Sequence, residues 1–417
     1  MADVTKRVAC VTASVCLVGG VSLTPVSAQE APRYSITGEA AVLAKRAALE
    51  NAPYSLQYGR LKMQVEGSLE VEFNDNVNLA EAGRQHDLII RPQVKAHSFL
   101  PLTAVNSLNL SVGVSPAFYV QHSEYNRVLI TPGSELAMDL YMGDYLLNLH
   151  EQFSYTQDPI AVGSISGTAV YGGFNNTAGA TLIGDLNDLS LSLGYDHTTF
   201  LSSTTLFEQL NSSSENFNSH ATFQINRAFS LGLSAGGGFN HYEQKFLNDH
   251  RNYSAGADAA IAISPRLKLN AAAGVVFYRF DRSGTVGATP DQNSYYVTLG
   301  AEHQLGQDLK QFLRATRELR LGITSDVLEV WAVRYQADLR IAPNLTAIPR
   351  LFYEHGRELK GVGAEQYDRY GVGLGFTRQL SEKVRANVAY NFTLKDSGLV
   401  LRSYWQNSVT FDLTYRF

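Results

Sequence analysis

The chain has 417 residues, with 34 Lys plus Arg against 39 Asp plus Glu, two Cys, 22 Tyr, 20 Phe and 34 Gly. A net charge of −5 gives a nucleic-acid partner no electrostatic support, because phosphate contacts need a basic surface. Abundant aromatics and glycines with only 18% charged residues suit a sheet with one lipid face and one wet face, or a large secreted sandwich, so periodicity has to decide.

Lys6 and Arg7 precede a mostly apolar run from Val8 to Val18, and the small residues Val26-Ser27-Ala28 follow before Gln29. This is the pattern of a secretory signal peptide over residues 1–28, and its apolar run falls short of the ~20 residues that a spanning helix needs. Cys10 and Cys16 both lie in it, and Ala13-Ser14-Val15 before Cys16 lacks the leucine of a lipoprotein signal. Without this segment the balance is 32 against 38, a net charge of −6, and no thiol remains to be oxidised. No later run is long and apolar enough for a spanning helix, so any crossing of a membrane is expected to be by strands.

Residues 29–59 lack a strand pattern. Glu39 to Glu50, with Ala41, Val42, Ala44, Ala47, Ala48 and Leu49, predicts a short helix that stops before Pro53. It is expected to be either a periplasmic arm or a plug in a lumen.

From residue 60 onward the period becomes two. Leu61, Met63, Val65, Leu69, Val71 and Phe73 alternate with Lys62, Gln64, Glu66, Glu70 and Glu72. Similar segments run Leu108 to Val120, Tyr145 to Tyr155, Leu189 to Tyr195, Phe217 to Ile225, Tyr253 to Ile263, Leu267 to Phe277, Trp331 to Ile341 and Val384 to Leu394. Short turns at 185–188, 226–228, 264–266, 342–344 and 380–383 alternate with longer polar stretches at 74–84, 122–131, 157–173, 201–216, 243–250, 281–292, 355–365 and 396–402. The pattern predicts an all-β transmembrane antiparallel barrel over residues 60–417, with short periplasmic turns and long extracellular loops. About 18 strands fit, or about 16 if Gln304 to Ile323, where Leu309, Phe312 and Leu313 break the alternation, contributes none. An even count puts both termini in the periplasm. A barrel of this size leaves an aqueous channel unless something plugs it, and no long segment reads as an inward-folding constriction loop.

The last ten residues alternate most sharply, with Val409, Phe411, Leu413, Tyr415 and Phe417 against Ser408, Thr410, Asp412, Thr414 and Arg416. Phe411, Leu413, Tyr415 and Phe417 resemble the β-signal of bacterial outer-membrane barrels. That resemblance implies outer-membrane lipid as the surroundings and the barrel-assembly machinery as a partner.

On the inward register, Arg320, Arg334, Asp338, Arg340, Arg350 and Glu354 predict a basic ladder, which either attracts anions or, with its acids interleaved, only fills the lumen. Glu66, Glu70 and Glu72, with Asp412 of the last strand, set an acidic patch beside it, so that a field is expected across the pore. Tyr119, Tyr141, Tyr278, Tyr296 and Phe352 also point inward, for packing or for stacking on sugar rings. Asp75, Asn76 and Asp87 carry hard oxygen ligands without the spacing of a calcium loop, and are read as turn residues. The ten His include no HExxH pattern. The one GxSxG match, Gly232 to Gly236, sits in a strand-like segment and not on a nucleophile turn. His197 and His303 fall on the lipid-facing register with no serine poised beside them. No metal, cofactor or catalysis is expected.

Taken together, these features resemble the β-barrel porin family found beside bacterial exopolysaccharide gene clusters. The most local element is Val71-Glu72-Phe73-Asn74-Asp75-Asn76-Val77, followed by Asp87 and the strand Leu88 to Ala96, which is similar to that family's opening hairpin. The resemblance implies a wide barrel that passes polysaccharide outward with a periplasmic export protein. An uptake porin for small solutes and a barrel-wall hydrolase are the other two readings.

Overall fold

The structure is a computed structural model that describes residues 54–417 except 283, 286, 288, 324 and 360–363. The signal peptide expected at residues 1–28 and the helix expected at Glu39 to Glu50 both lie outside the described residues. A short strand β1 (Leu56–Tyr58) folds back on β2 (Leu61–Asn74). The chain continues through β3 (Asp87–Pro101), β4 (Ser107–Tyr119), β5 (Arg127–Met142), β6 (Tyr145–Gln157), β7 (Gly172–Leu186) and β8 (Leu189–Ser202). Next come β9 (Ser212–Asn226), β10 (Phe229–Tyr242), β11 (His250–Ser264), β12 (Leu267–Phe280), β13 (Gln292–Leu305) and β14 (Leu309–Arg320). The last are β15 (Leu328–Ala342), β16 (Leu345–Glu358), β17 (Gln366–Gln379), β18 (Val384–Ser397) and β19 (Tyr404–Arg416).

Each strand from β2 to β19 pairs antiparallel with its sequence neighbours, and β19 closes on β2 from Ser408↔Asn74 to Arg416↔Glu66. The result is a closed barrel of 18 strands. Closure is what lipid demands, because an open sheet edge would leave backbone N–H and C=O groups unsatisfied in hydrocarbon. The Gln304 to Ile323 stretch does contribute a strand, β14. Its alternation holds, with Leu309 and Leu313 outward and Phe312 facing Gln336 on the inner side.

Side chains sort by register. Phe73, Leu69, Val409, Phe411, Leu413, Val372 and Leu374 stand exposed on the outer face, where lipid covers them. The inner face carries Glu70, Arg91, Asn109, Asn148, Asp196, His220, Arg334 and Asn391. An apolar exterior around a polar interior is the inverse of a soluble protein and matches an outer-membrane barrel. The five short turns read from the sequence, with three more at 102–106, 143–144 and 306–308, lie on the side of Leu61 and Phe417, which is therefore the periplasmic side. The extracellular side also has a loop at 321–327, which the sequence pattern did not separate from its strands.

Candidate functional site

The lumen is not an open bore. The β6–β7 connection, residues 158–171, leaves the rim and runs inward across the barrel. Arg369 of β17 donates to the Ile160 carbonyl at 2.8 Å, and Lys395 of β18 donates to Ser166 Oγ at 2.9 Å. Ser166 Oγ in turn donates to the Arg402 carbonyl at 2.7 Å. The wall it reaches is seven strands away in one direction around the ring and ten in the other, nearly opposite its origin. Contrary to the expectation from sequence, an inward-folding constriction loop is present.

Local chemistry explains the path. From Pro159 to Tyr171 there is no charged residue, and Ile160, Val162, Ile165 and Tyr171 pack with Leu79, Phe200, Phe207, Leu210, Tyr242, Leu247, Ile323 and Tyr404. Burying these side chains against one another removes them from water at roughly 1.5–3 kcal/mol each, which offsets the ordering of the loop. Burial pushes the Tyr171 hydroxyl above its ordinary pKa. Gly163 is required by contact, since a Cβ there would collide with Glu354 Oε1 and the Tyr367 hydroxyl. The absence of charge in a supposed loop was the sequence signal that could have exposed this segment.

The wall under the loop is basic. On the inner faces of β14–β17, Lys310, Arg314, Arg320, Arg334, Arg340, Arg350 and Arg369 face four carboxylates, Glu318, Asp338, Glu354 and Glu358. The six residues singled out from sequence all lie on this inner face but divide in role. Arg320 is buried and paired with Glu318 at 2.7 Å. Arg340 sits at the periplasmic rim, held by Asp308 at 2.8 Å. Glu354 is buried beneath Arg369 at 3.2 Å and Arg334 at 3.6 Å. Arg350 donates to Gln336 at 3.3 Å, and Gln336 donates to Asp338 at 3.0 Å. Arg314, missed in the sequence, stands directly opposite Arg334 across β14 and β15. The wall thus mixes neutralised pairs with arginines turned to the lumen, of which Arg334 is 35% exposed.

The acidic patch expected on β2 is partly compensated. Arg91 bridges Glu70 at 2.6 Å and Glu72 at 2.5 Å, and Arg416 reaches Glu66 at 3.1 Å. The negative side of the lumen lies elsewhere. The inner faces of β6–β11 carry Asp185, Asp196 and Asp258 and no lysine or arginine. Two of these aspartates hold histidines, His150 with Asp196 at 2.9 Å and His220 with Asp258 at 2.8 Å. The field across the lumen therefore runs from β14–β17 to β6–β11.

Three of the five inward aromatics are packed against the wall. Tyr119 and Tyr278 are buried in clusters, and the Phe352 ring lies over Gly371, whose missing Cβ makes the space. Asp75 accepts from the Asn407 amide and side chain at 2.7 Å each, and Asp87 accepts from His122 N at 2.9 Å, so both hold turns. Ser234 of the GxSxG match lies inside β10 and points to the Tyr296 hydroxyl at 3.5 Å. His197 and His303 face outward. Beside His197 stand Thr199 Oγ1 at 3.2 Å and Glu215 Oε1 at 2.9 Å.

Among solved structures, the fold of this chain is shared with outer-membrane channels of the Occ/Opd group. The chain has an outer-membrane porin fold. OpdK of Pseudomonas aeruginosa with vanillate is 14% identical at a TM-score of 0.50, over 85% of this chain and 99% of that one. OccK2 (OpdF) of Pseudomonas aeruginosa in complex with glucuronate is 14% identical at 0.51, over 86% and 98%. OccAB3 of Acinetobacter baumannii is 10% identical at 0.50, over 85% and 99%. No family model matches the chain, and no curated protein matches it by sequence. The chain is thus an 18-stranded antiparallel barrel of the outer membrane.

Proposed function

We propose that this barrel is an uptake pore for small anionic solutes, with carboxylates as the favoured class. The observation that carries the reading is the 158–171 loop laid across the lumen onto a wall of arginines. A segment pinned there narrows the passage, which favours a small solute over a hydrated polymer. The arginines turned to that passage attract anions and can bind carboxylates bidentately. Two channels of the same fold carry vanillate and glucuronate in their structures, both carboxylates, which agrees with the reading.

Polysaccharide export rests on the opening-hairpin resemblance alone, and the narrowed lumen argues against it. Liposome swelling with the purified protein tests the choice. Entry of glucuronate-sized acids faster than neutral sugars of equal mass supports uptake. Equal rates for both, together with loss of surface polysaccharide in a deletion strain, would restore export. The reading gives the barrel wall no catalysis. Thr199, His197 and Glu215 stand in hydrogen-bonding order, but the backbone N–H groups of their strands are engaged in the ladder and leave no preorganised donors for an oxyanion. Release of fatty acid from phospholipid vesicles, abolished in His197→Ala, would overturn that.

A further inference from the structure

The inner wall between the basic and acidic sides of the lumen carries an aromatic ring in an unusual posture. Directly paired positions run His220↔Ser234, Ser234↔Gly256, Gly256↔Gly274 and Gly274↔Tyr296, from β9 to β13. A Cβ on Gly274 would collide with the Tyr296 ring, and one on Gly256 with its hydroxyl. The ring therefore lies down across β12 and β11 instead of standing into the lumen, and its hydroxyl comes within 3.5 Å of Ser234 Oγ on β10. One ring face rests on two backbones without side chains. Tyr296 is nevertheless only half-buried, so its other face belongs to the lumen. The remaining inward aromatics differ: Tyr119 and Tyr278 are buried, the Arg369 guanidinium covers Phe352 at 5.5 Å, and Tyr141 sits at the periplasmic end of β5.

Hydrogen-bonding groups border the ring. Ser254 and Asp258 flank Gly256 on β11, and Thr298 follows Tyr296 on β13, all on the inner register. His220 Nε2 lies 2.8 Å from Asp258 Oδ1 and fixes that carboxylate over Gly232, while no donor among the described residues reaches Oδ2. A flat apolar face edged by a fixed carboxylate and hydroxyls has the chemistry that a sugar ring requires. The C–H face of the sugar packs on the aromatic, and its hydroxyls donate to the acceptors at the edge. A planar aromatic acid would cover the same face but set bare C–H edges against Asp258.

We propose that Tyr296 is a stacking platform for the pyranose ring of an entering sugar acid, with Asp258 accepting from its hydroxyls. The proposal rests on the anion-uptake reading and names the other half of the solute. Gly300 faces Arg314, and Tyr296 stands four residues nearer the extracellular end of β13, about 14 Å along the strand. A solute entering from outside meets the ring first and then passes its carboxylate to the arginines. The field across the lumen orients it, hydroxyls toward β11 and carboxylate toward β14.

The test is the residence time of single solutes in the channel, read from current blockades in planar bilayers. Glucuronate and gluconate carry the same charge and similar hydroxyls, but only glucuronate closes into a ring. The unmodified protein should hold glucuronate about fivefold longer. Tyr296→Ala, still heat-modifiable, should erase the difference, and Tyr296→Phe should keep it. Equal residence of the two acids in the unmodified protein would overturn the platform without reference to any variant. A difference that survives Tyr296→Ala would place ring recognition elsewhere and overturn it too. Benzoate held as long as glucuronate would overturn the sugar assignment. Glucose keeps this proposal separate from the anion reading: failure of that reading shows as glucose entering as fast as glucuronate, whatever the ratio between the two acids.

Discussion

Arg369 on β17 and Ile160 in the β6–β7 loop are joined at 2.8 Å, guanidinium to carbonyl, across the width of the barrel. That bond, with Lys395 to Ser166, holds the constriction in place. Deleting residues 160–167 is expected to raise single-channel conductance severalfold in planar bilayers, and Gly163→Val to do so partly, by forcing the loop off Glu354 and Tyr367. Unchanged conductance in both would mean that the loop does not limit flow.

Anion preference should reside in the arginines that the lumen reaches. Replacing Arg314, Arg334 and Arg350 together by Gln is expected to slow carboxylate permeation by about tenfold, ~1.4 kcal/mol at the barrier, and to move the reversal potential toward the cation side. Arg340→Gln serves as the contrast, since its partner Asp308 already neutralises it at the rim. An equal effect from Arg340→Gln alone would locate selectivity at the periplasmic mouth.

The seam between β19 and β2 ends on Phe417, whose N–H donates to Val65 O at 3.0 Å and whose ring packs edge-on to Tyr415 at 4.9 Å. Its deletion should lower the amount of heat-modifiable protein in the outer membrane severalfold. Normal levels and normal density of the truncated protein would refute the assembly role of Phe411, Leu413, Tyr415 and Phe417.

Lys395 and Glu365 form a fully buried pair at 2.7 Å, 0% and 2% exposed. Lys395→Met strands the carboxylate with Arg402 at 3.7 Å and the Ser397 hydroxyl, and is expected to cost about 3 kcal/mol. Adding Glu365→Gln should recover most of the loss, because both charges are then gone. Urea unfolding in phospholipid vesicles measures both. A single variant as stable as the parent would show that the pair carries no structural weight.

The strands, their faces and their number were legible in the amino-acid order because alternation is local: each residue's side follows from its neighbours two positions away, as in Val409 to Phe417. The short turns were equally local. The contents of the lumen were not, because they depend on residues far apart in the chain. The basic ladder was half readable, since register put Arg334 and Arg350 inside, but register could not say that Arg320 meets Glu318 or that Arg91 bridges Glu70 and Glu72 from the next strand. Nor could it say that Ser166 is held at Arg402, 236 residues onward, where closure of the ring brings the loop and the opposite wall together. Sequence alone determined an outer-membrane wall with a wet side and a lipid side. Only the tertiary structure decided what crosses that wall's interior, because ion pairing and loop docking are set by distance in space and not by period along the chain.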